Sequence, residues 1–368
     1  MRRLMHTAAA LLAGAALLGQ GLSASACTSL LLKTADGGHV YGRTLEFGLP
    51  LQSQAMVMPR NIALTGTGPS GAAGTGLKWT GKYGVVGLNA LGLNLFVDGM
   101  NEKGLVGGEL YLPNVAEFQE VAPAEAATSL ASYELLTYLL TSFATVAEVK
   151  AALPKIKVNR SPQAVFKAPV PVHFTLHDAS GASIVVEYVG GTLNIHDNPT
   201  TVLTNAPTFD WHIANLGQYV NLSAVEPAPL TAGPLTIAAP STGAGLHGLP
   251  GDMLSPSRFV RAFFFARNAP QPATASAGVT TVRHIMSSFD IPPGAVVTRA
   301  GASAGGGVAG YETTEWTAIA DLKARRYFFA TYDNQDLRVL DLAKVKLDGA
   351  APSVFPIDQK PVVTPLGE

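Results

Sequence analysis

One cysteine in 368 residues, Cys27, constrains this chain more than any other feature: no internal disulfide can form, so the fold must be held by its own core. What precedes that cysteine matters as much. Residues 1–26 have a basic start at Arg2 and Arg3, an apolar stretch over residues 8–18, and the small triplet Ala24-Ser25-Ala26. This is the pattern of a secretory signal peptide, so export to a periplasmic or extracellular compartment is expected, with Cys27 as the first residue of the mature chain. Exported proteins usually pair their cysteines, and a lone thiol there is either a small buried residue or a reactive one.

Removing 26 residues leaves 342, enough for one large domain or two ordinary ones. No convincing linker or internal repeat divides them, and we expect a single domain over residues 27–368. Basic and acidic residues number 25 and 26, which leaves no basic excess for nucleic acid. The apolar stretch is shorter than the ~20 residues that cross a bilayer, so no membrane span is expected.

Apolar, β-prone residues 28–33, the Asp36-Gly37-Gly38 turn and an extended pattern over 39–42 predict a hairpin with Cys27 at the tip of its first strand. Further strands are expected at 55–59, 85–88, 92–97, 104–112, 172–177, 183–189, 192–196, 316–321 and 326–332. Helical periodicity falls at 126–143, 147–153, 257–267 and 279–289. Glycine-rich residues 66–76 and 301–310 read as loops, and proline-rich 227–240 as an extended connector. The whole predicts mixed α and β structure with antiparallel sheet.

Two glycine patterns lack the context that would give them chemistry. The Gly66-to-Gly71 spacing has no helix start for a pyrophosphate, and Gly301-Ala302-Ser303-Ala304-Gly305 has no helix behind its serine. Seven of the eight histidines follow residue 26, none in a metal-binding spacing, so neither metal nor cofactor is expected. His196-Asp197 and His212 leave a cysteine–histidine dyad open as a rival arrangement.

Cleavage before Cys27 would create a free α-amine, whose ordinary pKa of about 7.7–8.0 lets it take the thiol proton without a histidine. Nucleophile and base would then share one residue. The rival use of such a cysteine, lipid attachment, prefers a large aliphatic residue three places earlier, where Ala24 stands. It would make the protein a lipidated, non-catalytic binding protein.

Five stretches in order resemble the choloylglycine hydrolase family of N-terminal-nucleophile hydrolases, which includes penicillin V acylases and conjugated bile salt hydrolases. They are Cys27-Thr28-Ser29, Arg43 to Phe47, Asp98 to Leu105, Leu203 to Pro207, and Gly248 to Asp252 with Ser257-Arg258-Phe259. The resemblance implies a four-layer αββα sandwich, with Cys27 at the end of a central strand. It implies that Arg43 lies beside the Cys27 sulfur and lowers its pKa, and that Glu46, where aspartate is usual, accepts a hydrogen bond from the α-amine. It further implies that Asn205 and the backbone of Tyr111 hold the oxyanion, that Arg258 completes the network, and that the protein forms a homotetramer.

Taken singly, Arg43 could be a hairpin charge, Asn205 a turn residue and Arg258 a helix-start residue paired with Asp252; Asn101 and Glu102 read as a turn between strands. The expected partner is a small N-acyl amide. Tyr111 and the export signal tilt the expectation towards penicillin V or N-acyl homoserine lactones, with conjugated bile salts as the alternative.

Overall fold

The computed structural model describes residues 26–299, 310–363 and 365–366. Residues 1–25, nearly all of the expected signal peptide, and most of the glycine-rich 301–310 lie outside the described residues. Two antiparallel sheets dominate. The first runs β1 (Thr28–Lys33), β2 (His39–Phe47), β10 (Gly310–Asp321), β11 (Arg326–Thr331) and β12 (Arg338–Asp341), with Val296–Thr298 pairing onto β10. The second has the order β9 (Thr192–Asp197), β8 (Ser183–Val189), β7 (Val172–His177), β6 (Val106–Tyr111), β5 (Phe96–Asn101), β4 (Val85–Asn89), β3 (Gln54–Met58) and β13 (Ser353–Pro356).

Side-chain alternation along β2 explains the layering. Tyr41 and Arg43 point to the second sheet, reaching Asp98, Val97 and Glu109. Gly42, on the opposite face, lies under helix α5 (Ala275–Ser287), where an added Cβ would sit 2.4 Å from Val282. Helices α4 (Ser255–Asn268) and α5 cover the outer face of the first sheet, and the short α3 (Phe209–Asn215) packs on α4. Helix α1 (Leu135–Ser142) packs on β5 and β6 at the outer face of the second, with α2 (Val146–Ala152) joining the same core. The result is the four-layer αββα sandwich. With a cover on each face, β1 and β2 are buried almost throughout, so polar residues such as Arg43, Thr44 and Glu46 are enclosed along with the apolar ones.

The opening hairpin forms as expected, Thr28 opposite Thr44 and Lys33 opposite His39, with Gly37 in the left-handed region at the turn. Three expectations are corrected. Only Leu135–Ser142 of the helix expected over 126–143 is α-helical; before it come a 3-10 turn, the short strand Ser129–Ala131, which pairs with Lys157–Asn159, and a second 3-10 turn. The Glu134 carboxylate takes the backbone N–H groups of Ala131 and Thr67, which stops the helix from extending backwards. The strand expected at 92–97 begins at Phe96, because Leu91 and Gly92 adopt positive φ and turn the chain. Residues 227–240 are not a plain connector but carry an exposed two-stranded hairpin, Leu230–Ala232 with Leu235–Ile237.

Residues 66–76 contain no helix. Among the described residues no helix is long and apolar enough to cross a membrane.

Candidate active site

Cys27 directly precedes β1, which is an end strand of its sheet rather than a central one. Its outer edge is closed by residues 201–205: Ser29 and Leu203 exchange backbone hydrogen bonds, and Leu31 N–H donates to the Thr201 carbonyl. That strap carries Asn205 to the start of β1. The Cys27 N–H donates to Asn205 Oδ1 at 2.7 Å. Because Ala26 is still attached in this chain, the nitrogen of Cys27 is here a peptide amide.

Arg43 comes from the neighbouring strand, with Nη2 3.7 Å from the Cys27 sulfur. Strands β5 and β6 pair only from Met100–Val106 to Asp98–Gly108 and then part. The Arg43 guanidinium fills the gap, with Nη1 donating to the Val97 carbonyl at 3.1 Å and Nη2 to the Glu109 carbonyl. Asp98 balances its charge at 3.6 Å, and is itself held by the hydroxyls of Tyr41 and Tyr327 at 2.7 and 2.6 Å. Burial pushes the Asp98 carboxyl up to about 6, with Arg43 opposing. The Arg43 cation also lies over the Trp316 ring, 5.0 Å from its centroid.

Arg258, in the first turn of α4, reaches the Cys27 carbonyl, Thr28 Oγ1 at 2.8 Å and Asn205 Oδ1 at 2.8 Å. Its expected alternative partner, Asp252, instead accepts from Ser257 Oγ and from the Leu254 N–H. Asn205 Nδ2 donates to the Tyr111 carbonyl at 2.8 Å. Leu112 N–H reaches Pro171 across the β6–β7 side, so strand alternation turns the Tyr111 N–H towards the opposite, parted edge, where Arg43 meets the Glu109 carbonyl.

The contact expected of Glu46 is with a free α-amine, which Cys27 lacks while Ala26 is attached. Glu46 lies on the face of β2 opposite Arg43, where Oε1 accepts from Thr314 at 3.0 Å and buried Oε2 meets no hydrogen-bond partner among the described residues. Asn205, not Glu46, takes the Cys27 N–H. Burial pushes the Glu46 carboxyl up to about 8, against the pull of Arg258. The expected lowering of the thiol pKa is likewise outweighed: burial raises it, and Arg43 only opposes that rise. The thiol therefore needs a base.

Histidine does not supply one by a direct hydrogen bond to the Cys27 sulfur among the described residues. His212 stacks on Phe259 and bonds the Asn205 carbonyl at 2.8 Å, and burial lowers its pKa to about 4. His196 lies 3.3 Å from Asp210 and 3.7 Å from Glu187. Asn101 holds the end of α1 through the Leu140 and Phe143 carbonyls, and Glu102 pairs with Arg60, both structural. No cluster of His, Cys, Asp and Glu suited to a metal occurs among the described residues.

Sequence reasoning missed three acidic groups. Asp98 stood within a quoted motif without a role. Glu312, which accepts the Ala26 N–H at 2.9 Å and is pushed up to about 7 by burial, and Glu109, in the wall of the cleft, carried no sequence signal.

The cleft in front of Cys27 is partly open to solvent. Its walls are largely apolar, with Leu45, Phe47, Leu93, Val97 and Phe166 beside the polar Arg43, Glu109, Tyr111 and Gln163. That is the character of a site for a small molecule.

An αββα sandwich with a buried cysteine leading its first strand belongs to the class of N-terminal-nucleophile hydrolases. Comparison with known proteins narrows the class. The family described as linear amide C-N hydrolases, choloylglycine hydrolase family, matches residues 27–355, and the chain belongs to it; the protein is a linear amide hydrolase. It is 32% identical over 325 residues to a bile salt hydrolase/transferase of Clostridium perfringens, covering 88% of this chain and 94% of that one. It is 26% identical to a penicillin V acylase of Pectobacterium atrosepticum, covering 98% and 92%. The crystal structure of a mutant of the conjugated bile acid hydrolase from Clostridium perfringens superposes with a TM-score of 0.81 at 29% identity, covering 93% of this chain and all of that one.

Proposed function

We propose that Cys27, freed by removal of residues 1–26 in an exported protein, is the nucleophile of an acylase and that its own α-amine is the base. The observation that carries this reading is that both polar ends of Cys27 are engaged by the site, the nitrogen by Asn205 and the sulfur by Arg43. The thiol proton passes to the amine as sulfur attacks the amide carbon. Negative charge gathers on the carbonyl oxygen, met by the second N–H of Asn205 Nδ2 and the backbone N–H of Tyr111. The C–N bond then breaks, the leaving amine takes the proton back, and water hydrolyses the thioester. Arg258 fixes the Cys27 carbonyl and Asn205 together, while Asp98 and its two tyrosines hold Arg43 in register.

The preferred substrate is an amide of an apolar acyl group, of the penicillin V or N-acyl homoserine lactone kind, because Phe47 packs edge-on against both Tyr111 and Phe166 in the cleft. Conjugated bile salts are the second reading, favoured by the higher identity to the clostridial enzyme. Purified protein beginning at Cys27 should be assayed against penicillin V, acyl homoserine lactones and glycine or taurine bile conjugates. Faster cleavage of either of the first two supports the preferred reading, and faster cleavage of the conjugates overturns it.

A further inference from the structure

Asn205 is fixed by its backbone as well as by its side chain, and the groups that fix it form a closed, buried loop of hydrogen bonds. The carbonyls of Thr204 and Asn205, consecutive along the strap, each face a histidine. His173 Nε2, on β7, lies 2.8 Å from the Thr204 carbonyl, and His212 Nε2, on α3, lies 2.8 Å from that of Asn205. A carbonyl oxygen only accepts, so each ring donates from Nε2. On the neighbouring strand β8 the Glu187 carboxylate joins the two arms. Its Oε1 lies 2.9 Å from His173 Nδ1 and takes the N–H of Phe209, the first residue of α3, at 3.0 Å. The loop thus runs from Glu187 through His173 to the strap, through His212 into α3, and back through Phe209. Glu187, His173, Thr204, Asn205 and His212 are each no more than 2% exposed.

We propose that Glu187 is a positioning residue of the amide hydrolysis, which through His173 and His212 fixes the place of Asn205 against the Cys27 nitrogen and the oxyanion. A charged side chain is costly to bury unless its partners meet it, and here those partners are the ones that hold the strap. The Asn205 N–H is taken by Ser255 Oγ at 2.9 Å, so the residue is gripped by α4 at its N–H and by α3 at its carbonyl. The His212 ring also stacks on Phe259, 4.7 Å between centroids, which ties the Asn205 carbonyl to the helical turn that carries Arg258. Cutting the loop at Glu187 unties the start of α3 and leaves the His173 ring free to turn away from Thr204. Both strap carbonyls then lose their fixed partners.

The inference rests on the oxyanion role of Asn205 proposed above, and a double-mutant cycle separates the two. Protein beginning at Cys27 is assayed on whichever of the amides named above it cleaves fastest. Glu187→Met, similar in length but without a carboxylate, should lower kcat roughly 10- to 100-fold, the scale of an ångström-sized misplacement, with KM changed less than about twofold. In an Asn205→Ala background the same substitution should change kcat less than about twofold, because the group it positions is gone. Glu187→Gln keeps an oxygen for Phe209 and offers an N–H to His173 Nδ1, so it should retain most of the activity. His212→Phe keeps the stack on Phe259 but loses the N–H, and should repeat the kcat loss on the other arm even if Glu187→Met does not fold. Equal losses with and without Asn205, or no loss of kcat in either arm, would overturn the proposal. An active enzyme whose kcat survives Asn205→Ala would overturn the oxyanion reading, and this one with it.

Discussion

Asn205 does more in this structure than its place before Pro207 suggests. Its Oδ1 receives both the Cys27 N–H and Arg258, its Nδ2 reaches Tyr111, and its backbone N–H is held by Ser255 at 2.9 Å. One side chain thus holds the Cys27 nitrogen and an amide donor beside the proposed oxyanion position. Asn205→Ala should lower kcat by roughly 100- to 1000-fold, the range for losing one oxyanion donor. Steady-state kinetics on the folded variant checks this, and a loss confined to KM would show that Asn205 only binds substrate. The direction of the Glu46 side chain is also set at this scale. Strand alternation puts residues 43 and 46 on opposite faces of β2, and a resemblance between motifs does not reveal that a longer side chain has turned to Thr314.

Among elements, the parting of β5 and β6 makes the site. Pairing ends at Asp98–Gly108, and Arg43 then takes carbonyls that a ladder would otherwise occupy. Gly108 is required there: an added Cβ would lie 2.6 Å from Asp98 Oδ2, 2.8 Å from Tyr41 Oη and 2.9 Å from Arg43 Cδ. Gly108→Ala should therefore destabilise the protein by about 1–3 kcal/mol and reduce activity by displacing Arg43. Urea unfolding together with kcat/KM tests the pair of effects; an unchanged kcat/KM would show that Arg43 is not held from this side.

The opening hairpin, the three later helices and strands β7 and β8 were legible because their periodicity and flanking turns agree. The 126–143 segment was not, since buried Leu130 and Ala131 fit a helical pattern but sit in a short strand whose partner, Lys157–Asn159, is distant in sequence. The edge position of β1 was equally hidden, because order within a sheet depends on long-range pairing. Cys27, Arg43, Asn205 and Arg258 were legible through the motifs, whereas Glu109 and Glu312 belong to none.

At the scale of the molecule, buried ionisable groups set the response to pH. Glu46 and Glu312 have carboxyls pushed up to about 8 and about 7, so the folded chain holds their protons more tightly than an unfolded one, where glutamate titrates near 4.3. Their contribution to stability is complete below the unfolded value and is lost as pH climbs through 7 and 8. His177 and His212, lowered by burial to about 3 and about 4, act in the other sense: their contribution is present above about 6.5 and is lost as pH falls. The unfolding midpoint of the full chain, in which neither Ala26 nor Cys27 carries a free α-amine, should decrease between pH 6.5 and pH 8.5. Glu46→Gln should flatten the alkaline decline, and a midpoint rising from pH 6.5 to 8.5 would contradict this assignment.

The central claim is that Cys27 supplies its own base, and one comparison addresses it directly. Protein beginning at Cys27 and protein retaining Ala26, each verified by the mass of its N-terminus, are assayed on the same amide. The account predicts turnover by the first and essentially none by the second, whose Cys27 nitrogen is an amide that cannot accept a proton. Equal turnover by both would contradict it and place the base elsewhere in the site.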